Sequence, residues 1–356
     1  MEVVKKMKKF KIIHLLQSNK FSGAENIVCQ IMNMFKGNDR FDMTYVCPAG
    51  PISKVLDSMD LNYIELKNFS RKEIARAVKE IDPDVIHAHD FNASVKASIY
   101  KKKIIISHLH NNPLWLSKLD IKTVVYALCI HRFYSIIGVS NSIKDEFRYK
   151  HLIKEKFVML PNTVDAKKVI KAGNEINENE IDILYVGRMS EPKNPLAIIS
   201  IIEKLKESYS KKLRVMMIGD GPLFREVQLK IRDKNLSDVI EMKGFVSNPY
   251  KYMNSAKVLI MPSIWEGFGL VSVESMLLKT PVVAYNVGGL KEIIDDGNGF
   301  LCDSENELVE SLEQLLNSEI LRKKMGENAA ISAKKFSNTR RYKEVLEDIY
   351  TCAVFK

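Results

Sequence analysis

The sequence predicts an α/β protein of two domains, each built on a parallel β-sheet covered by helices. Its 356 residues exceed the size at which a single hydrophobic core usually stops growing. Short apolar runs typical of buried strands alternate with amphipathic helical patterns along the chain. Residues 167–180, rich in Asn, Glu and Lys, interrupt this alternation and indicate a linker region.

The first half of the chain contains seven predicted strands. Ser70 and Glu73 form a capping box, which predicts a helix from there to about Ile81. A helix after the first strand would bury Ile27 and Ile31 on one face. The predicted strands lie at residues 12–16, 43–47, 62–66, 85–88, 104–106, 136–139 and 157–160.

The second half repeats the alternation with six strands and ends in a helix. That helix is predicted over about residues 339–350, because Tyr342, Leu346 and Ile349 share one face. The predicted strands lie at residues 183–186, 214–218, 239–242, 258–261, 282–284 and 300–302.

The composition is that of a soluble globular protein, with 46% hydrophobic and 28% charged residues. The five cysteines form no CxxC pair, which favours a reducing compartment and argues against a structural zinc site. No apolar run is long enough to span a membrane, and Lys8, Lys9 and Lys11 interrupt any signal-peptide core. We therefore expect a cytoplasmic protein.

The net charge of +10 is concentrated in the first half of the chain. Residues 1–160 contain 26 Lys and Arg against 16 Asp and Glu, whereas residues 161–356 contain 28 of each kind. A one-sided basic surface suits an anionic membrane face or an anionic lipid-linked partner. Charge that serves solubility alone is the alternative. The sequence carries no nucleic-acid-binding signature, and we expect no nucleic-acid partner.

Residues 114–134 combine apolar side chains, including Trp115, with Lys118, Lys122 and Arg132. A basic amphipathic helix of this kind is able to lie on a membrane, which predicts a peripheral position on the inner face of the plasma membrane. A core helix whose lysines face water explains the same pattern.

Histidines cluster where two predicted strands of the first domain end. His87 and His89 follow one strand, and His108 and His110 follow the next. Ligands of open α/β sheets bind at the carboxyl ends of strands, so these histidines are either catalytic, substrate-contacting or structural. Strand alternation points His87 and His89 the same way without supplying a third and fourth ligand, and we therefore expect no metal site.

Residues 258–279 form a strand, a turn with two glycines, and a helix expected from about Ser272. Unpaired backbone N–H groups and the helix dipole make such a corner suited to phosphate. Glu266 lies in the turn and Glu274 lies in the helix, so they would contact different parts of an elongated ligand such as a nucleotide diphosphate sugar. The alternative is a pair of solvated surface acids.

A second phosphate-binding loop is predicted after the strand at residues 183–186. Arg188 and Lys193 lie between this strand and a helix for which Asn194 is the expected N-cap and Pro195 the first residue. Two cations beside free amides suit a diphosphate, although isolated loop cations are usually surface charges. The following GDGP turn lacks the GxGxxG spacing, so it does not indicate a dinucleotide site.

An ordered set of motifs resembles the retaining family 4 glycosyltransferases of GT-B fold. It spans most of the chain and comprises SGAE near residue 22, PNTVD at 161, GRMSEPKN at 187, GDGP at 219, GFVSNP at 244, EGFGLVSVE at 266 and PVVA with VGG from 281. The resemblance implies two Rossmann-like domains facing a central cleft, at residues 1–163 and 164–338. The final helix, about residues 339–356, would pack back on the first domain.

The resemblance also implies a role for each matched residue. Glu274 would bind the ribose hydroxyls and Glu266 the donor sugar, whereas Arg188 and Lys193 would neutralise the diphosphate without a metal. His110 would face the reacting sugar. The remaining predicted donor contacts are Gly23, Val246, Gly267, Phe268, Gly269, Leu270 and Val271.

Together these features predict a transferase that moves a sugar from a UDP-hexose or UDP-N-acetylhexosamine to a lipid-linked bacterial saccharide, and the resemblance implies that it retains the anomeric configuration. The run SHLHNNP is similar to what capsule and exopolysaccharide transferases carry. The alternatives are a UDP-sugar 2-epimerase of the same fold, a hydrolase using Glu266 and Glu274, and a sugar-nucleotide-binding protein without turnover. We expect no cofactor beyond the donor substrate.

Overall fold

A computed structural model describes residues 9–175 and 180–355 of the chain. The chain forms two compact units, residues 1–162 with 340–356 and residues 163–339. Across the described residues, every helix is too short or too polar to span a lipid bilayer. Each unit contains one fully parallel sheet, so the α/β prediction is confirmed.

The first unit contains a seven-stranded sheet in the order β3-β2-β1-β4-β5-β6-β7. The strands are β1 (Phe10–Leu15), β2 (Phe41–Pro48), β3 (Tyr63–Leu66), β4 (Val85–His89), β5 (Ile104–Leu109), β6 (Ser135–Gly138) and β7 (Phe157–Met159). The helices are α1 (Gly23–Met34), α2 (Ser53–Ser58), α3 (Arg71–Ile81), α4 (Asp90–Ala97), α5 (Ile121–Cys129), α6 (Asn141–Glu146), α7 (Lys150–Ile153) and, from the chain end, α15 (Thr339–Val354).

The second unit contains a six-stranded sheet in the order β10-β9-β8-β11-β12-β13. The strands are β8 (Ile181–Val186), β9 (Val215–Ile218), β10 (Ile240–Gly244), β11 (Ala256–Met261), β12 (Val282–Tyr285) and β13 (Gly299–Cys302). The helices are α8 (Ala166–Gly173), α9 (Ala197–Ser208), α10 (Phe224–Asp233), α11 (Tyr250–Ser255), α12 (Leu270–Leu277), α13 (Glu305–Asn317) and α14 (Glu319–Ala333). Short 3₁₀ helices also occur in both units. They cover Leu114–Ser117 and Ile130–Arg132 in the first unit and Glu191–Lys193, Gly288–Glu292 and Lys334–Ser337 in the second.

Central strands in both sheets are largely apolar because helices cover both of their faces. In β4 every residue is buried, including its two histidines. In the second unit, Ile183, Val215 and Ile260 belong to one core cluster that also includes residues of α9, α10 and α13. The thirteen predicted strands all occur, and none of their ends is shifted by more than three residues.

The final helix, α15, belongs to the first unit. Tyr350 is fully buried, its ring lies 5.6 Å from that of Phe41, and Arg40 pairs with Glu347 at 2.5 Å. The helix is thus fixed by aromatic packing and an ion pair to the region where β2 begins.

Three local predictions are wrong. The supposed linker is partly the helix α8, which packs against α11 and α12, while residues 176–179 lie outside the described part of the chain. The single basic helix over residues 114–134 is divided, because Asp120 caps a separate helix α5 by accepting the N–H of Lys122 at 2.8 Å. Asn194 adopts a left-handed conformation (φ 47°) after a 3₁₀ turn, so it does not cap α9.

Candidate functional site

The loops after β8 and β11 lie side by side in the second unit. The order of strands reverses between these two neighbours, because β8 is followed by β9 on one side and β11 by β12 on the other. Such a reversal opens a crevice at the carboxyl ends of the strands, where open α/β sheets bind ligands. The Ile264 N–H donates to the carbonyl of Pro192 at 2.8 Å and joins the two loops.

Lys193 and Glu266 meet at this crevice. The Lys193 ammonium donates to Oε1 of Glu266, and the Ser263 hydroxyl donates to the same oxygen at 3.2 Å. The Glu266 side chain is 7% exposed, whereas that of Lys193 is 32% exposed. Lys193 thus compensates a buried carboxylate while part of its side chain remains open to solvent.

Arg188 lies in the same loop as Lys193 but has a different environment. Its side chain is exposed, and its guanidinium has neither an ion pair nor a hydrogen bond within residues 9–175 and 180–355. The backbone is fixed, because the Tyr185 hydroxyl donates to the Arg188 carbonyl at 3.0 Å. Of the two predicted cations, Lys193 therefore forms an ion pair with Glu266, whereas the guanidinium of Arg188 has no partner among the described residues.

The turn after Glu266 is shaped by glycine. Gly269 has a φ of +98°, which permits a tight entry into α12. The helix consequently begins at Leu270, two residues before the predicted start, and Leu270 and Val271 lie in its first turn, where backbone N–H groups lack intrahelical partners. Phe268 points its ring into the unit, 5.2 Å from that of Phe336 and edge to face with it.

A third loop closes against this turn. The Gly289 N–H donates to the Glu266 carbonyl at 3.0 Å. A β-carbon at Gly289 would lie 2.3 Å from the carbonyl oxygen of Gly267, so only glycine fits without displacing the turn. The VGG motif is thus needed for the shape of the backbone that follows Glu266.

Glu274 lies on α12, and its hydrogen-bond partner differs from those of the Lys193–Glu266 pair. The Tyr250 hydroxyl donates to its Oε1 at 3.1 Å. Burial raises the pKa of Glu274 to about 7, and the Tyr250 hydrogen bond and the charge of Lys168 partly oppose that rise. This carboxyl group therefore titrates near neutral pH.

Val246 lies in the turn between β10 and α11, and hydrogen bonds connect that turn to Glu274. Asn248 accepts the N–H of Tyr250 at 3.1 Å, and Tyr250 in turn bonds Glu274. The structure thus connects the turn predicted to bind the base with the acid predicted to bind the ribose.

The first unit has its own strand reversal, between β1 and β4. Gly23 is the first residue of α1 after β1, and the Ser22 hydroxyl donates to the buried carboxylate of Glu25. After β4, Asp90 accepts the His110 N–H at 2.8 Å and an amide N–H of Asn111 at 3.2 Å. Burial raises the pKa of Asp90 to about 6.

Five buried histidines form one cluster beneath this reversal, which we call the histidine cluster: His14, His87, His89, His108 and His110. His89 Nε2 lies 3.0 Å from His14 Nδ1, and His89 Nδ1 lies 2.9 Å from His110 Nε2. His87 Nε2 lies 3.1 Å from His108 Nδ1, and His87 Nδ1 lies 2.7 Å from the Tyr350 hydroxyl. Burial lowers the pKa of all five, to about 3 for His14 and about 4 for His110, so the rings are neutral.

His14 was not among the residues predicted for a site. It faces the cluster because β1 pairs with β4, in register His14 to His87. The strand order of a doubly wound sheet places the first strand beside the fourth, and this order would have predicted that His14 lies next to His87. Strand pairing thus brings in the further nitrogens that alternation within one strand does not supply, since His14, His87 and His89 offer nitrogens within 4.8 Å of one another, as do His89, His108 and His110. The expectation of no metal site stays a prediction.

Two family profiles match the chain. The first, glycosyl transferases group 1, covers residues 166–331, and the second, glycosyltransferase family 4, covers residues 23–168. An uncharacterized glycosyltransferase of Methanocaldococcus jannaschii is 32% identical over 265 residues, which are 71% of this chain and 71% of the relative.

A second relative covers nearly the whole chain. It is the N-acetylgalactosamine-N,N'-diacetylbacillosaminyl-diphospho-undecaprenol 4-alpha-N-acetylgalactosaminyltransferase of Campylobacter jejuni, 24% identical over 91% of this chain and 95% of its own length. The solved structure of HepE from Anabaena, in complex with UDP and glucose, matches with a TM-score of 0.84 at 19% identity. That match covers 96% of this chain and 100% of HepE, and it establishes the fold.

Proposed function

The chain belongs to the family 4 glycosyltransferases of GT-B fold, and we propose that it transfers a sugar from a UDP-sugar donor to a lipid-linked saccharide in surface-polysaccharide synthesis. The observation that carries the donor proposal is the Lys193–Glu266 pair at the strand reversal of the second unit. A buried acid held by a half-exposed lysine next to a helix N-terminus suits a ligand that is part anion and part polyol.

On the donor side, we assign one chemical task to each charged residue. Arg188 has an uncommitted guanidinium, which is able to bind diphosphate oxygens in a bidentate way. Lys193 would share its ammonium between Glu266 and the phosphate, and the first-turn N–H groups of Leu270 and Val271 would complete the anion site. Concentrated positive charge stabilises a departing UDP without a metal ion.

The two acids would bind the neutral ends of the donor. Glu266 would accept hydrogen bonds from sugar hydroxyls, and Glu274 from the ribose, next to the Val246 turn that would contact the base. For the first unit, the resemblance to family 4 supports a sugar-contacting role for His110 and a diphosphate-binding role for Gly23. Retention of configuration completes the proposal, and the resemblance to family 4 supports it.

The acceptor proposal is supported by the names of relatives. The Campylobacter jejuni enzyme is named for a diphospho-undecaprenol-linked acceptor, and a second one from that organism, 28% identical over 74% of this chain, is named for an acceptor linked to PP-undecaprenol. We therefore propose a lipid-linked oligosaccharide as acceptor, with a donor that is a UDP-hexose or UDP-N-acetylhexosamine.

The test is a donor screen followed by transfer assays. A true donor stabilises the folded protein by mass action, so one UDP-sugar should raise Tm above all others in a thermal-shift panel. With that donor and lipid extract, Lys193→Ala and Glu274→Ala should each lower kcat/KM by about 100-fold or more. Lys211→Ala and Glu226→Ala, which change exposed residues with no assigned contact, should retain activity. Full activity of both site variants would refute the assignment.

The same assay separates the alternatives. A 2-epimerase would interconvert UDP-sugars without a glycoside product, and a binding protein would show the Tm shift without turnover. Hydrolysis of a glycoside in the absence of nucleotide would identify a hydrolase. Each of these results would contradict the transferase proposal.

We also propose that the first unit contacts an anionic membrane through an apolar patch consisting of Leu119, Ile121 and Leu128. These side chains are 71%, 77% and 68% exposed. Ile121 and Leu128 lie in α5, and Leu119 lies just before it. Lys118 and Lys122 are exposed next to them. Exposed apolar groups bordered by lysines are typical of a helix that lies in the lipid headgroup region. This would place the protein on the inner face of the plasma membrane, where a lipid-linked acceptor is present.

Vesicle flotation tests the membrane proposal. The protein should float with anionic vesicles at low salt, and Ile121→Glu with Leu128→Glu should abolish flotation. The matched control is Ile320→Glu with Ile331→Glu, which changes residues that are also exposed but lie on α14 of the second unit. Flotation that survives in the patch variant, or is lost equally in the control, would exclude this surface.

A further inference from the structure

Three members of the histidine cluster form one hydrogen-bonded chain. His89 Nδ1 lies 2.9 Å from His110 Nε2, and His89 Nε2 lies 3.0 Å from His14 Nδ1. The ring centres of these two pairs are 5.2 and 5.3 Å apart, and their planes are inclined by 24° and 23°. These centre-to-centre distances are as long as the N···N contacts permit, so the nitrogens lie on the lines that join the ring centres. The rings thus meet edge to edge, with the alignment that N–H···N hydrogen bonds prefer.

His110, at one end of this chain, is held from three sides. His89 contacts its ring edge, and the ring of His108 stacks on its face with the ring centres 4.2 Å apart. The carboxylate of Asp90 accepts its backbone N–H at 2.8 Å. Asp90 has a φ of +66°, a left-handed conformation that is unfavourable for residues other than glycine and that persists only where the surrounding structure imposes it. The local structure therefore fixes both the backbone and the ring of His110.

Neutral rings leave the chain of three histidines only two fully bonded states. Burial lowers the pKa of all three, to about 3 for His14 and about 4 for His110, so each ring carries one proton at neutral pH. Both hydrogen bonds then form only when every ring is protonated on Nδ1 or every ring is protonated on Nε2. The tautomer of His110 is therefore tied to that of His14, two rings away.

The two ends of the chain favour the state with protons on Nδ1. The end atoms, His14 Nε2 and His110 Nδ1, are buried without a hydrogen-bond partner among the described residues. Protons on Nε2 would place an unpaired N–H at His14, which is fully buried, and buried N–H groups without partners are rarer than such acceptors. Protons on Nδ1 place it at His110, which follows β5 at the carboxyl edge of the sheet, where ligands bind. Burial lowers the pKa of His110 and the negative charge of Glu25 opposes that change, so an N–H is favoured at this end.

We propose that His14 and His89 are positioning residues that hold His110 in the Nδ1–H tautomer, so that His110 donates a hydrogen bond to an oxygen of the transferred sugar. The contact with the sugar rests on the proposed function, whereas the tautomer is a property of the first unit alone. A donor that is already oriented needs no rearrangement when the sugar binds. It also disfavours a ligand that presents only an N–H or O–H donor at this position.

¹⁵N NMR of the full chain with labelled histidines tests the tautomers. Couplings to the carbon-bound ring protons distinguish Nδ1–H from Nε2–H, and couplings across the two N–H···N bonds identify the three linked rings without any variant. We expect His14, His89 and His110 all to be protonated on Nδ1. Protons on Nε2, a mixture of tautomers, or rings that show no coupling to one another would overturn the proposal.

Transfer kinetics separate a positioning role from a structural one. His14→Leu removes the hydrogen bond to His89, so it should give His110 a mixture of tautomers and lower kcat/KM by about 10-fold. His14→Asn, whose side-chain amide is able to donate from about the position of Nδ1, should recover most of this loss. The matched control is His151→Leu, which changes an exposed histidine outside the cluster and should retain full activity.

The positioning role and the proposed function fail in different ways. Absence of transfer by the unaltered chain would contradict the proposed function, and the NMR result would then judge the tautomer by itself. Lower activity of His14→Leu with an unchanged Nδ1–H signal from His110 would show a structural effect and overturn the positioning role. Full activity of His14→Leu with altered tautomers would overturn it as well. Should His14→Leu fail to fold, NMR of the unaltered chain decides.

Discussion

Glu274 makes nucleotide binding depend on pH in a direction that the structure determines. Its pKa is raised to about 7 because the carboxyl group is buried, and binding to ribose hydroxyls as proposed uses the ionised form. With that pKa, the ionised fraction rises from about 10% at pH 6 to about 90% at pH 8. The affinity for UDP should therefore increase up to about tenfold over this range through Glu274 alone.

Replacing Glu274 by Gln isolates this effect from the ionisation of UDP itself. UDP titrations by calorimetry at several pH values give a ratio of Kd between the Glu274→Gln variant and the unaltered protein. We expect that ratio to rise by about tenfold between pH 6 and pH 8. A ratio that stays constant would show that Glu274 does not bind the nucleotide as a carboxylate, and the assignment of the ribose contact would be wrong.

Three further results are expected. Tyr250→Phe removes a hydrogen bond that lowers the pKa of Glu274, so the midpoint of the same Kd profile should move to higher pH, and an unmoved midpoint would contradict the contact. The pKa of Glu274 in the folded protein, about 7, exceeds its ordinary value of 4.5, so the folded state holds the proton more tightly than the unfolded state. The contribution of Glu274 to stability is therefore fully present below pH 4.5 and is lost as the pH rises through about 7. Between these pH values, Tm should decline less in the Glu274→Gln variant than in the unaltered protein. Gly289→Ala should destabilise the protein by about 1–3 kcal/mol in chemical denaturation, because its β-carbon meets the Gly267 carbonyl, whereas Gly297→Ala should change stability by less than about 0.5 kcal/mol.

Local patterns predicted the strands because burial on both faces of a parallel sheet leaves a clear apolar run in the sequence. The predicted start of α3 is confirmed, with Ser70 accepting the Glu73 N–H at 3.4 Å, but the box is incomplete because the Glu73 carboxylate accepts the N–H of Lys67 and the Ser70 N–H donates to Asn68. Predictions failed where backbone geometry overrides the usual preference of a residue. Asn194 turns into the left-handed region instead of capping α9, and the positive φ of Gly269 starts α12 early.

The sequence did not predict which distant residues come into contact. Lys193 and Glu266 are 73 positions apart, and only the pairing of β8 with β11 brings them together. His14 joined the histidine cluster for the same reason, through the pairing of β1 with β4. Periodicity identifies a strand and its buried residues, but the order of strands within the sheet decides which strand ends become neighbours.

The transfer reaction itself is the most direct test of the account. Proton NMR of the protein with its UDP-sugar donor and a lipid-linked acceptor follows the donor, free UDP and the new anomeric signal in one time course. We predict that UDP is released in step with one new glycoside whose anomeric configuration is that of the donor. Release of UDP with free sugar alone, interconversion of UDP-sugars without release, or a product of inverted configuration would contradict the proposed function.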